Sequence, residues 1–178
     1  MMLLQDIFIY FAKYLTETAV AKVFNKCAAG PEYDAFRQKA LAAAQEVFPA
    51  ITDYVFGVDE ELVKRKISQV KDTYLFIDYG NIASSTNSYD VKTDALQLAV
   101  TVARPISSNS YDQAEEILIT EDLLNIIAKI RDDMRYDRSD PFVRRLTFPN
   151  DITPFFAREL SNSFGWTLMF QLKGIDLL

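Results

Sequence analysis

Carboxylates are the only side chains in this sequence whose clustering could support chemistry. The 178-residue chain contains no histidine, which removes the most common general base and metal ligand. Its single cysteine, Cys27, cannot form an intramolecular disulfide or a thiolate zinc site. The five glycines form no phosphate-binding loop, and no serine nucleophile motif occurs. Dinucleotide-binding, P-loop and hydrolase functions are therefore unsupported.

One group of aspartates could in principle hold a hard cation: Asp132, Asp133, Asp137 and Asp140. Clustered carboxylate oxygens bind calcium or magnesium. Three arginines alternate with them and would neutralise such a site: Arg131, Arg135 and Arg138. The spacing is not that of a calcium loop, so we interpret the cluster as a salt-bridged helix end and predict no metal and no cofactor. Asp78, Glu115 and Glu116 are interpreted as surface residues rather than an acid/base pair.

The element around which the rest of the chain is predicted to pack is an extended stretch at residues 94–105. Every second residue from Leu96 to Val102 is apolar, which is typical of a strand with one buried face. Pro105 ends it, because proline has no N–H to donate to a neighbouring strand. Aromatic and β-branched side chains predict a second strand at residues 74–82, antiparallel to the first.

Helices are predicted before and after this strand pair. Apolar spacing of three to four residues indicates helices at residues 3–28, 31–46 and 58–71, while residues 53–57 are left unassigned. Ser110 and Gln113 have the form of a capping box at a helix start, and Thr120-Glu121-Asp122 indicates another cap, at the start of the most regular helix of the chain. The buried face of that helix is predicted to pack across the sheet and consists of Leu123, Ile127, Ile130 and Met134.

The last third of the chain is predicted to contain a strand at residues 142–148, a short helix at 153–159 and a strand at 165–172. This order of elements predicts an α+β fold, with a mainly antiparallel sheet of about four strands packed by helices and an N-terminal helical section. We expect one domain, residues 1–178. Its first 72 residues are mostly helical, and residues 73–178 hold the sheet and its packing helix.

Charge and hydropathy limit the classes of partner. The net charge of −6 repels phosphates, and no basic patch is evident, so no sequence-specific nucleic-acid binding is expected. The apolar opening of the chain is interrupted by Asp6 and Lys13, well short of the roughly 20 residues that a membrane-spanning helix needs. No membrane partner is therefore expected.

Two polar segments are the predicted interaction surfaces. The first contains Ser84, Ser85, Thr86, Asn87 and Ser88, and the second contains Ser107, Ser108 and Asn109. Two interpretations remain open for both. They are ordinary connections, or they are loops through which an assembly protein contacts its neighbours, since loops carry much of the binding in proteins.

Several parts of the sequence together carry a resemblance to a known family: the strand at residues 94–105, the polar loop after it, the helix with Thr120-Glu121-Asp122-Leu123-Leu124, and residues 148–170 with Gly165-Trp166. Their order over residues 74–172 resembles the tail-terminator, tail-completion or head–tail joining proteins of tailed bacteriophages and prophages. The resemblance implies a non-enzymatic structural protein with an α+β fold. Its partners would be five further copies of itself, in a six-membered ring, and the tail tube or head connector. It would occur in the cytoplasm of the host cell and in the virion.

A second class stays open beside this resemblance. The chain could be a small adaptor or regulatory domain that binds one protein or peptide through an exposed sheet edge or through its N-terminal helices. The two hypotheses differ in self-association, because a ring-forming protein is oligomeric whereas the adaptor is monomeric or dimeric.

Overall fold

The fold is described from a computed structural model, which covers residues 3–26, 30–86, 89, 91–106, 111–137, 139–147 and 151–175. These residues form five α-helices: α1 (Leu3–Ala12), α2 (Glu17–Ala21), α3 (Pro31–Ala43), α4 (Glu60–Ile67) and α5 (Gln113–Tyr136). They also form six strands: β1 (Asp53–Phe56), β2 (Tyr74–Thr86), β3 (Lys92–Pro105), β4 (Leu146–Thr147), β5 (Ile152–Ala157) and β6 (Ser163–Ile175). A short 3-10 helix, Val143–Arg145, precedes β4. The α+β class predicted from the sequence is confirmed.

The six strands make one mixed sheet in the order β1-β2-β3-β6-β4, and β5 pairs with β6 as well. Only the pair β1–β2 is parallel, and α4 connects these two strands. The predicted antiparallel pairing of residues 74–82 with 94–103 is confirmed, with Tyr74 opposite Ala103 and Ile77 opposite Val100. β3 lies between β2 and β6 and pairs with both over most of its length, as expected for the strand around which the chain packs.

The number of strands was predicted wrongly, since the sheet has six rather than about four. The helix predicted at residues 153–159 is instead β5, which pairs with β6 from Ile152 to Ala157. Pro154 was taken as the first residue of a helix, but it is equally compatible with a strand that has a partner on one side only. Of the strand predicted at 142–148, residues 146 and 147 form β4, whereas Asp140 accepts the backbone N–H of Phe142 at 2.7 Å and closes a turn there. Residue 148 lies outside the described residues.

Two helix boundaries also differ from the prediction. The described part of the segment 3–28, residues 3–26, contains two helices, because the Thr16 hydroxyl accepts the N–H of Ala19 at 3.1 Å and caps α2. Helix α5 begins with a capping box in which Asp112 and Glu115 accept each other's backbone N–H, two residues after the box predicted at Ser110 and Gln113. The helix runs through Thr120 without interruption, so the second cap predicted there is wrong. The predicted buried face of α5 is confirmed.

The sheet has two faces, and different helices cover them. Leu75 and Ile77 belong to the main core, which includes side chains of α1, α3 and α5. Tyr74 and Phe76, which alternate with them along β2, belong to a second cluster formed with α4. Helices α5 and α4 therefore lie on opposite faces of the sheet.

The described residues contain no helix with both the length and the apolar character needed to span a membrane.

Candidate interaction surface

Two aspartates at the C-terminal end of α5 hold this helix against α1. The Lys13 ammonium, at the end of α1, lies 2.9 Å from carboxylate oxygens of both Asp133 and Asp137. The Tyr14 hydroxyl donates to Asp133 at 2.7 Å, and the ring of Tyr10 lies 4.2 Å beneath the ammonium. The hydrogen bond from Lys13 lowers the pKa of Asp137. We call these five residues the Lys13 clamp.

The other members of the predicted carboxylate cluster have local partners. Asp132 accepts from the guanidinium of its neighbour Arg131 at 3.1 Å, and Asp140 caps the turn before β4. Glu115 belongs to the capping box of α5. Within the part of the chain that the structure describes, no three potential metal ligands group together.

The second half of β2 has a free edge. β1 pairs with β2 from Tyr74 to Ile77, and the last hydrogen bond on this side runs from Gly57 N–H to the Ile77 carbonyl. Among the described residues, no strand pairs with the outer side of β2 at residues 78–86, which we call the free edge. At about 3.3 Å per residue, these nine residues span about 30 Å of strand.

The free edge carries little of the protection that exposed strands usually have. Residues 80–86 are exposed, and the segment 78–86 contains no lysine, arginine or proline. Proteins commonly block such an edge with charges, proline or a bulge. A register irregularity between Tyr79 and Ile82 is present here. Beyond that irregularity, the backbone from Ile82 to Thr86 is open to another strand.

The first predicted interaction segment lies partly on this edge. Ser84, Ser85 and Thr86 were predicted to be in a loop, which is wrong, because β2 continues to Thr86, opposite Lys92. Their polar side chains gave no pattern of burial from which a strand could be recognised. Asn87 and Ser88 lie outside the described residues, as do all three predicted residues of the second segment: Ser107, Ser108 and Asn109.

Ser84 also contributes to the structure of the hairpin. Its hydroxyl donates to the carboxylate of Asp94 at 2.5 Å, and that carboxylate is fully buried. The ammonium of Lys92 lies 3.7 Å from the same carboxylate. A buried carboxylate requires such partners, because an uncompensated one is costly. Ser84 therefore helps to fix β2 against β3 near the end of the hairpin.

We expect Ser84→Ala to loosen this end of the hairpin. Loss of a hydrogen bond to a charged group costs about 1.5 kcal/mol, which corresponds to roughly tenfold faster exchange of amide protons that open locally. Hydrogen exchange of residues 82–86 measures this effect. The matched control is Ser85→Ala, whose exposed hydroxyl makes only a 3.5 Å contact with the Thr93 carbonyl. Equal exchange rates in the two variants would contradict the role given to Ser84.

The face of the sheet that bears α4 contains a shallow cleft of about 400 Å³. Asp78, Gln97, Met169 and Gln171 are among its lining residues. Burial raises the pKa of Asp78. No second titratable side chain among the described residues lines this cleft, so it lacks the partner that acid/base catalysis would require.

A groove of about 470 Å³ lies between the start of α5 and β6. Its apolar wall is formed by Ile117, Leu124 and Trp166, and its rim includes Glu116 and Glu121. The indole N–H of Trp166 donates to the carbonyl of Thr120 at 3.0 Å, which fixes this wall against α5. We call this surface the acidic groove. This surface was not predicted from the sequence, because the exposure of Ile117 depends on how α5 lies against the sheet.

Comparison with known proteins identifies no relative of this chain. No protein-family model, curated protein or solved structure matches it.

Proposed function

We propose that the protein is a non-enzymatic assembly protein of the tail-terminator type, which forms a homo-oligomeric ring and docks onto a phage tail tube or head connector. The observation that carries the proposal is the free edge of β2. Its unpaired backbone groups can each form a hydrogen bond with a strand of a neighbouring protein.

The layout of the sheet is compatible with a ring. One side of the sheet ends in β1 and the free edge of β2, whereas the other side ends in β4 and β5. These two sides differ in length and sequence, so a contact between them joins different surfaces of two copies. Contacts of that kind are heterologous, and they close into rings when the rotation between copies permits.

The arrangement of residues 74–172 is also compatible with the resemblance found in the sequence. The strand at 94–105 is β3, the final alternating strand is β6, and α5 packs across both on the main core face. Four of the carboxylates considered for chemistry are engaged in the Lys13 clamp and in helix and turn caps: Asp133, Asp137, Glu115 and Asp140. Both observations favour a structural role.

The test is the molar mass in solution, measured by light scattering after size exclusion over a range of concentrations. We expect wild-type protein to form a closed hexamer. Ile82→Lys, which places a charge on the free edge, should shift the protein to smaller species, because strand addition would have to desolvate the ammonium group.

Val47→Lys is the matched control for this test. It also converts an exposed apolar side chain to lysine, but it lies outside the sheet. If Ile82→Lys assembles as Val47→Lys does, the free edge is not the assembly surface. Docking is tested separately by co-sedimentation with purified tail tubes.

The free edge also fits a second function, an adaptor that adds one peptide strand to its sheet. This alternative predicts a monomer or dimer that does not bind tail proteins. The genes beside the coding gene distinguish the two proposals. Genes for portal, capsid or tail tube proteins would favour the phage assembly protein, and their absence together with a strictly monomeric chain would favour the adaptor.

A further inference from the structure

We infer that the acidic groove receives the exposed face of helix α4 from a second copy of this chain. The inference rests on the proposed function, since both require self-association. It goes further by naming the two surfaces that meet and the side chains that recognise each other.

The start of α5 is unusually exposed for a helix with a buried face. Its four fully buried residues all lie from Leu123 onwards, and the segment 113–122 contains no fully buried residue. Ile117 and Leu118 are 60% and 62% exposed, although both are large apolar side chains. Such a surface is typical of a site that another protein covers.

The charge around the groove is of one sign. Between Tyr111 and Asp122 the chain has five carboxylates and no basic side chain. Two of them, Asp112 and Glu115, are used in the capping box. Glu116 and Glu121 line the groove, and neither forms an ion pair within the described residues. The groove therefore favours an apolar partner that also carries cations.

Helix α4 and the turn after it offer that combination. Val63 and Ile67 are buried, so the opposite side of the helix faces outwards. Four residues at the spacing of one helical face are exposed there: Leu62, Arg65, Lys66 and Gln69. From Val63 to Lys71 the chain has four basic side chains and no acid.

The individual side chains of this face are available for a partner. Leu62 is 47% exposed. Arg65 and Lys66 form no ion pair within the described part of the chain, whereas Lys64 is already paired with Glu60. A leucine flanked by two free cations complements a groove with an apolar wall and two free carboxylates.

Helix α4 can reach the groove only from another copy, because the two surfaces cannot meet within one chain. The groove lies on the side of the sheet covered by α5, and α4 packs on the opposite side, against Tyr74 and Phe76. A contact between opposite faces of successive copies is heterologous. Repeated from copy to copy, it builds a ring or a linear array.

Charge reversal on each surface tests the inference. The groove variant is Glu116→Lys with Glu121→Lys, and the helix variant is Arg65→Glu with Lys66→Glu. Each variant alone should self-associate at least about tenfold more weakly than wild type, because like charges then face each other across the contact. An equimolar mixture should regain the wild-type molar mass, because every groove then meets a helix of opposite charge.

One further measurement and one control variant complete the test. Trp166 is the single tryptophan of the chain and forms part of the groove, so its fluorescence should shift to shorter wavelength on association in wild type and in the mixture. Glu17→Lys with Glu32→Lys is the matched control, because it changes the net charge equally at exposed acids that lie away from the groove. The control should associate as wild type does.

The outcomes separate this inference from the proposed function. If wild type assembles and both variants assemble equally well, a different surface joins the copies. The inference is then wrong, but the proposed ring-forming function is not contradicted. If only the groove variant is weakened, the groove binds something other than α4. A wild-type chain that stays monomeric at every concentration, and on tail tubes, contradicts both.

Discussion

Gly165→Ala is expected to lower the free energy of unfolding by about 3 kcal/mol, within the upper range for overpacking of a closely packed interior. A Cβ atom at this position would lie 2.0 Å from the carbonyl oxygen of Val102 and 2.6 Å from the Cα of Ala103. These are backbone atoms of β3, so no side-chain rotation relieves the overlap. Urea unfolding followed by circular dichroism measures the loss.

The overlap at residue 165 cannot be relieved by moving β6 away from β3. At Gly165 the strand is paired on both sides, with Ala103 of β3 and with Phe155 of β5. Any shift that admits the methyl group therefore disturbs two ladders of hydrogen bonds.

Gly80→Ala is the control for this substitution. Gly80 also lies in a long strand, but the nearest atom to its added Cβ is the Cβ of Gln97 at 3.4 Å. We expect a change of no more than about 0.5 kcal/mol, and towards greater stability, because alanine loses less backbone entropy than glycine in a strand. Equal losses in the two variants would show that the close approach at Gly165 is not the cause.

Lys13→Ala is expected to cost about 2 kcal/mol. Only 15% of the Lys13 side chain is exposed, and its removal leaves Asp133 and Asp137 without their common cation. Breaking a fully buried pair costs 3–5 kcal/mol, and the partial exposure of the two carboxylates reduces this value. Lys22→Ala, which removes a half-exposed pair with Asp53, should cost less than about 1 kcal/mol.

The stabilisation by the Lys13 clamp should depend on pH in a defined way. The pKa of Asp137 is lowered, so its contribution is present above the ordinary value of 3.8 and is lost as pH falls through the lowered value. Burial opposes the charge of Lys13, but the hydrogen bond to Asp137 and the neighbouring groups raise its pKa above 10.5. Its contribution is therefore present below 10.5 and is lost only at higher pH.

The difference in stability between wild type and Lys13→Ala measures this dependence. It should be constant across neutral pH and should shrink as the pH falls through the lowered pKa of Asp137. A difference that stays the same throughout acid titration would mean that packing of the lysine stem, rather than its charge, joins α1 to α5.

The features that could be predicted from the sequence are those with a strong local period. Apolar alternation identified β3 and β6, and three-to-four-residue spacing identified the buried face of α5. β1 was not predicted because its four residues form a short apolar run without a clear period. β5 was predicted as a helix because its six residues show too few alternations to outweigh the proline at position 154.

The surfaces could be predicted only in part. Residues 84–86 were selected as an interaction segment for their polarity, whereas their exposure on a free edge follows from the shortness of β1. Ile117 and Leu118 are typical of a buried helix, and only the position of α5 relative to the sheet exposes them. Contacts that depend on how far one element extends past another leave no periodic signal in the sequence.

The place of β6 in the sheet has a consequence for synthesis on the ribosome. β6 follows all other described strands in the chain, yet it pairs with β3 along the middle of the sheet. Ribosomes add roughly 5–20 residues per second, so several seconds pass between the synthesis of β3 and that of β6, while α5, β4 and β5 are made. During that time the second edge of β3 is exposed to other nascent chains, and a chaperone that shields it should raise the yield of folded protein.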